Sequence, residues 1–436
     1  MTRGFGIELH WERLETGLPE ERACFAMIGI RQDAVCLTEA EDDLVGRVRR
    51  EIPLSAYRLA EWCAWNWWRL RWEPHRHGEA WMLAHCLASV GHGFLWPNIT
   101  MMSDGERIAL HARPTRSRPE EPIRYLADAT VIVAADAFEN TLDRFFAQIE
   151  AQLHLENLRD TNFAALWEDL QAERADRDMS RWRRLEAMLG FDPDEADPAL
   201  VHGLLEDAKA MGWSAVTEIA AHHRHGAPIL TAREMRQLAF VQGYAASGED
   251  AITLSPNIRF SGEMPAWRLG VELAGRVRGE TGLGDAPLAN RRLAELAGVA
   301  EAILRDKEAV SDFAFLLDDG DPPRDQRVVL RSQWETGRRF DLARLIGDRL
   351  ATRGDGALFP ATRGDTYRQK FQRAFAAELL CPFVVMHDAL NGDYSHEALE
   401  DVARRFRVSD YLVRSHLVNH AMTDARGIEA TFGVPF

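Results

Sequence analysis

The chain has 436 residues, 46% of them hydrophobic, enough for two or three cored domains. Its formal charge of −16 disfavours nucleic acid as a partner unless basic side chains gather locally. No apolar run approaches the ~20 residues needed to span a bilayer, so no membrane association is expected.

The opening residues MTRGFGIELHWERLE carry acids and no apolar stretch, which predicts no secretory leader and a cytoplasmic protein. Cys24, Cys36, Cys63, Cys86 and Cys381 form no CxxC and match no zinc-ribbon spacing. They read as reduced thiols, mostly buried. The lysines are Lys209, Lys307 and Lys370; none follows a glycine, so a GK[ST] phosphate loop is excluded.

Residues 1–150 predict a mixed α+β domain. Ala23–Arg31 and Asp33–Glu39 read as paired strands. Ile99–Pro114 reads as a hairpin turning at Ser103-Asp104-Gly105, and Ala129–Asp136 as a further strand. Ser55 is a candidate cap for one helix running to Pro74. On it, helical spacing puts Trp65, Trp68 and Trp72 on one face, Trp62 near that face and Trp67 elsewhere. Core packing explains such a stripe. With Arg69 and Arg71 beside aromatic rings, Trp62, Trp65, Trp68, Arg69, Arg71 and Trp72 are also candidate interaction residues. His75, His77, His85 and His92 offer no ligand pair at helical spacing with a third partner, so no metal is expected there.

Residues 140–250 show apolar side chains at three- and four-residue spacing, beginning with Asn140–Leu155, and 151–260 predict a helical connector. Gly190 and the run Asp192–Pro198 separate two of its helices. His222, His223 and His225 precede Gly226 and Pro228, at a helix C-terminus where the dipole favours such side chains. The Gly-, Ser- and Pro-rich stretch Gly243–Pro265 reads as the main boundary.

Residues 261–436 contain RRFDLARLIGDRL (Arg338–Leu350) and QRAFAAELLCP (Gln372–Pro382). Ahead of them lie the helical segment Trp267–Val299 and the strand-like Arg327–Phe340. Together these segments resemble the ImmA/IrrE family of zinc peptidases. The family's first helix reads roughly RRFTLAHELGH and its second AN-x-FAAELLMP. The resemblance spans roughly 265–420 and implies a zincin-like domain, hence an α+β chain.

In HExxH, two histidines four apart hold zinc, and the glutamate takes a proton from the metal-bound water. With Leu342, Ala343 and Gly347 in register, Arg344 stands at the first histidine, Leu345 at the general base and Asp348 at the second histidine. The region of the third ligand holds Gln369 and Lys370, with no carboxylate. A guanidinium cannot donate to zinc, and leucine cannot move a proton. No catalytic residue, metal or cofactor is therefore expected. Arg344 and Asp348, at i and i+4, are expected to pair with each other.

The resemblance implies a catalytically inactive pseudo-peptidase acting as a protein-binding regulatory module, in stress response or phage defence. Two alternatives stay open. The first is a hydrolase with a relocated metal site, from Asp348, His387 and Asp388 or from the N-terminal His/Trp region. The second is a DNA-binding regulator using Ser395–Met422, which has a helix–turn–helix look. There Glu397, Glu400, Asp401, Asp410 and Asp424 offset Arg404, Arg405, Arg407, Arg414 and Arg426, which favours a structural role. Glu378 reads as helix scaffold, and His416 and His420 as an i, i+4 pair without a flanking acid.

Overall fold

The computed structural model describes residues 4–426 apart from 116–120, 225, 250, 254–259, 261, 309–310, 319–325, 353 and 355. The chain forms two compact units, residues 1–196 and 197–436. Each mixes helices with antiparallel strands, so the class is α+β. The expected connector 151–260 is divided between the two units. The divide falls in the acidic Asp192–Pro198 run, not in Gly243–Pro265. The glycine-rich stretch begins with a strand, Tyr244–Ala246, that belongs to the second unit's sheet.

In the first unit the strands are β1 (Phe5–Trp11), β2 (Phe25–Gln32), β3 (Val35–Cys36), β4 (Ala40–Asp42), β5 (Arg47–Arg49), β6 (Ile52–Ser55), β7 (Ile99–Ser103), β8 (Arg107–Ala112), β9 (Ile123–Tyr125) and β10 (Ala129–Ala134). The helices are α1 (Pro19–Ala23), α2 (Ala56–Trp65), α3 (Trp67–Trp72), α4 (Glu79–His85), α5 (Ala135–Leu155), α6 (Asn162–Ala175) and α7 (Arg177–Leu189). Three small sheets result, ordered β1-β2-β3 with β6 also on β2, β10-β8-β7, and β5-β4-β9. Both expected hairpins form. β2 pairs with β3 around Asp33, which takes a φ of 51°. β7 pairs with β8, and Asp104 closes the turn by accepting from the Glu106 and Arg107 amides. Helix α5 presents Phe138, Leu142, Phe145, Phe146, Ile149 and Leu153 to the core, the spacing of one helix face.

The tryptophan-rich segment is not one helix. It breaks at Asn66, whose side-chain amide donates to the Trp62 carbonyl at 2.9 Å. A short polar side chain that captures a backbone acceptor in this way competes with the helical ladder. The break resets the phase. Trp67 and Trp68 are both buried (3% exposed), whereas Trp65 is 54% exposed. The expected face of Trp65, Trp68 and Trp72 therefore does not exist.

The second unit contains α8 (Pro198–Met211), α9 (Trp213–His222), α10 (Ala232–Gln242), β11 (Tyr244–Ala246), α11 (Ala266–Glu280), α12 (Asn290–Ala297), β12 (Ala314–Leu317), β13 (Gln326–Val329), α13 (Glu335–Thr352), β14 (Leu358–Ala361), α14 (Tyr367–Leu380), α15 (Phe383–Leu390), α16 (His396–Phe406) and α17 (Asp410–Arg426). Its antiparallel sheet runs β11-β13-β12-β14, leaving β14 at an edge, where α9 packs against it. Helices α11, α13 and α14 pack tightly together. A Cβ on Gly347 would stand 2.5 Å from the Phe375 ring, and one on Gly270 would stand 2.7 Å from the Phe371 carbonyl oxygen. Only glycine allows these approaches.

Candidate functional site

Arg344 and Asp348 lie one turn apart on α13, and both are buried, at 3% and 0% exposure. They do not pair with each other; each is committed to a different set of partners. The Arg344 Nη2 donates to the Thr362 carbonyl (2.6 Å), to Gln369 Oε1 and to Gln372 Oε1 (3.2 Å). The two glutamines are held for this purpose. Their Nε2 groups donate to one carbonyl, that of Pro360 on β14, at 3.1 and 3.0 Å. That fixes each amide oxygen toward the guanidinium. Gln369 Oε1 also accepts the Thr362 amide at 2.8 Å. Burial, with Arg373 nearby, pulls the Arg344 guanidinium down to about 9.

Asp348 is held by a residue absent from the sequence-based candidates. Arg368, at the start of α14, donates Nε to Oδ1 and Nη2 to Oδ2, both at 2.7 Å. This is the bidentate fork geometry that suits arginine and carboxylate. The same guanidinium donates from Nη1 to Ser214 Oγ of α9 (3.1 Å) and from Nη2 to Thr352 Oγ1 (3.3 Å). A second α9 residue, Glu218, is buried nearby and accepts from Thr366 Oγ1 at 2.6 Å. Burial raises its carboxyl above the ordinary range, partly offset by the Arg368 charge. Leu345 lies in the apolar core, and Lys370 is buried on α14.

A zinc ion needs lone pairs directed at one point. Arg344 supplies only donors, Leu345 supplies none, and both Asp348 oxygens are occupied by Arg368. These residues do not fit the metal. The alternative set is not assembled either. His387 lies 3.4 Å from Tyr394 Oη and against Phe383, while Asp348 is enclosed by Arg368. Among the described residues no group of three or more His, Cys, Asp or Glu side chains could hold a metal ion.

The candidate interaction residues of the first unit separate. Arg69 is buried with Glu73 (2.7 Å) and Asp192 (2.9 Å). Trp62 packs partly buried against the core. Trp68 and Trp72 line a cleft of about 600 Å³ together with Trp67, Trp167 and Arg174. The Arg71 and Arg184 guanidinia each lie 3.6 Å from the Trp72 ring centre, and Arg174 lies 4.6 Å from that of Trp67. The protein's own cations thus occupy these aromatic faces.

The C-terminal helix pair is tied inward. Arg339, fully buried on α13, donates to the carbonyls of Arg407 (3.0 Å) and Leu288 (2.7 Å) and to the Asn290 side chain. On the surface, Arg404 pairs with Asp401 and Arg414 with Asp410. The Asp424 and Arg426 side chains lie outside the described residues. Glu378 also does more than the sequence suggests. It accepts the Phe383 amide at 3.1 Å and stands 3.6 Å from His416, which burial pulls down to about 3. Among the described residues no helix is long and apolar enough to cross a membrane. No family model, curated protein or solved structure matches the chain.

Proposed function

We propose that this chain is a non-hydrolytic relative of the ImmA/IrrE peptidases, a pseudo-peptidase whose second unit serves as a protein-binding regulatory module. The context proposed is stress response or phage defence. The observation that carries this reading is the commitment of Arg344 and Asp348 to internal partners, at the positions where the peptidases need zinc ligands. The segments that resemble the family lie on α13 and α14, which pack together through Gly347 and Phe375, beside an antiparallel sheet with β14 at its edge. That arrangement supports a zincin-like scaffold. Helix α9 lies on that edge strand and sends Ser214 and Glu218 to α14, so the chain itself fills the side from which a substrate strand would approach. A module so filled acts by binding through its outer surface.

The test has two arms. Protein incubated with zinc and desalted is expected to retain far less than one equivalent and to cut no peptide. Stoichiometric zinc, with hydrolysis abolished by Asp348→Asn, would overturn the reading. In the producing cell, crosslinking through the second unit is expected to recover one defined protein at stoichiometric yield. Recovery of none would sink the binding half.

A further inference from the structure

We infer that a second cavity, of about 290 Å³, binds a small organic oxyanion with a short apolar body. It lies wholly within the second unit, where the end of α9 meets the loop after it, Phe313 and Arg363. The inference is independent of the peptidase resemblance.

The cavity has an apolar floor and a cationic rim. Ile219, Ile229, Leu230 and Phe313 supply the floor, and Arg224 and Arg363 supply the rim. Both arginines are exposed. Among the described residues neither guanidinium has a hydrogen-bond or ion-pair partner, although elsewhere in this chain arginines are repeatedly paired with carboxylates. In a chain of net charge −16, two uncommitted guanidinia on one concavity call for an anion. The fork of donors on each suits a carboxylate or a phosphate equally.

One carboxylate lines the cavity, that of Asp312; its charge offsets one of the two guanidinia and leaves the rim cationic by one. Asp312 Oδ2 lies 3.1 Å from His222 Nε2. The other ring nitrogen, Nδ1, accepts the Arg363 backbone amide at 3.3 Å. A neutral imidazole with its proton on Nε2 satisfies both contacts, and burial favours that neutral form. His222 therefore has no free lone pair to act as a base. Its task is to fix the backbone from which Arg363 projects and to keep Asp312 turned toward the ring. Edge-on contact with Phe313, at 5.7 Å between ring centres, completes the wall. The volume is near the lower end of the range for ligand pockets, which selects a small ligand.

Calorimetric titration of the full chain with hexanoate and hexyl phosphate, against acetate and inorganic phosphate, tests the proposal. At least one tailed anion is expected to bind at one site, about tenfold or more tighter than its headgroup alone. Which tailed anion binds identifies the headgroup. The affinity is expected to fall with added sodium chloride, since the rim is exposed. Arg224→Met with Arg363→Met should weaken binding at least about tenfold, and Phe313→Ala should erase the preference for a tail. Both arginines are on the surface, so circular dichroism of the double variant should match the parent. Three results overturn the proposal: no binding of either tailed anion at millimolar concentration, equal affinity for acetate and hexanoate and for the two phosphates, or binding unchanged in the folded double variant.

Discussion

Arg368 grips both carboxylate oxygens of Asp348 at 2.7 Å, across the interface of α14 and α13, with neither side chain open to solvent. Such a pair costs desolvation of two ions, and its mutual attraction roughly offsets that cost. Its two halves are therefore not independent. Arg368→Met strands a buried carboxylate and should destabilise the second unit by about 3–5 kcal/mol. The double variant Asp348→Leu, Arg368→Met should recover most of that loss, because the carboxylate that Arg368 gripped is removed with it, and Glu218, which loses the nearby Arg368 charge, keeps its contact with Thr366. Denaturant unfolding of the four proteins in this cycle gives the coupling energy. Additive losses would show that the pair is not the unit described.

The close approach of α13 and α14 yields a second expectation. Gly347→Ala puts a methyl group 2.5 Å from the Phe375 ring, which cannot move without disturbing the core it fills. Overpacking of this kind costs about 1–3 kcal/mol. Phe375→Leu added to Gly347→Ala should return part of that, whereas Phe375→Leu alone should destabilise. Melting temperatures of the three variants decide it. A Gly347→Ala variant as stable as the parent would mean that the helices are further apart than described.

What could be read from the chain itself follows from range. The hairpin at Asp104 was legible because the turn and its strands are contiguous, and the side chain that closes it acts within three residues. The burial of the α5 face was legible from spacing alone. The break at Asn66 was not, because helix periodicity counts apolar positions and cannot register a polar side chain competing for a carbonyl. The core of the candidate site was legible only as a set of missing ligands. Gln369 could be read as a position lacking a carboxylate, but not as an acceptor oriented by Pro360. Arg368 and Glu218 were invisible, since their partners come from α9, α13 and α14, up to 154 residues apart in the chain. No spacing rule reaches across such a distance.

Arg339 joins the end of α16 to the body of the second unit through backbone carbonyls, so its loss should be felt locally first. Removing the guanidinium with Arg339→Met leaves the Leu288, Phe406 and Arg407 carbonyls without this donor. Each buried acceptor left unsatisfied costs about 1–3 kcal/mol. Amide hydrogen exchange in His396–Phe406 should accelerate strongly, while that of the first unit stays unchanged. Lysine is not expected to rescue, since a single ammonium cannot span acceptors that the fork reaches together. Protection retained in α16 of the Met variant would show that packing alone holds the helix.

His85 makes the first unit sensitive to acid. Its ring is fully buried, stacks on Trp81 at 4.0 Å, and has Nδ1 2.8 Å from the Trp81 carbonyl oxygen. Glu73, Arg69 and His75 are the charged or titratable groups around it. Burial is the dominant influence and pulls the imidazole down from 6.5 to about 3. A base whose folded value lies below its unfolded value contributes stability that is complete above the unfolded value. That stability is lost as pH falls from 6.5 toward 3, because only the unfolded chain takes up the proton. The slope is about 1.4 kcal/mol per pH unit, so about 2 kcal/mol should disappear between pH 6.5 and 5 on account of this residue. Denaturant unfolding of the first unit, followed by tryptophan fluorescence at each pH, measures the loss. His85→Gln should be less stable at pH 7 and show a flatter dependence. A ring proton of His85 that titrates near 6.5 in nuclear magnetic resonance spectra, or a variant with an undiminished slope, would refute the assignment.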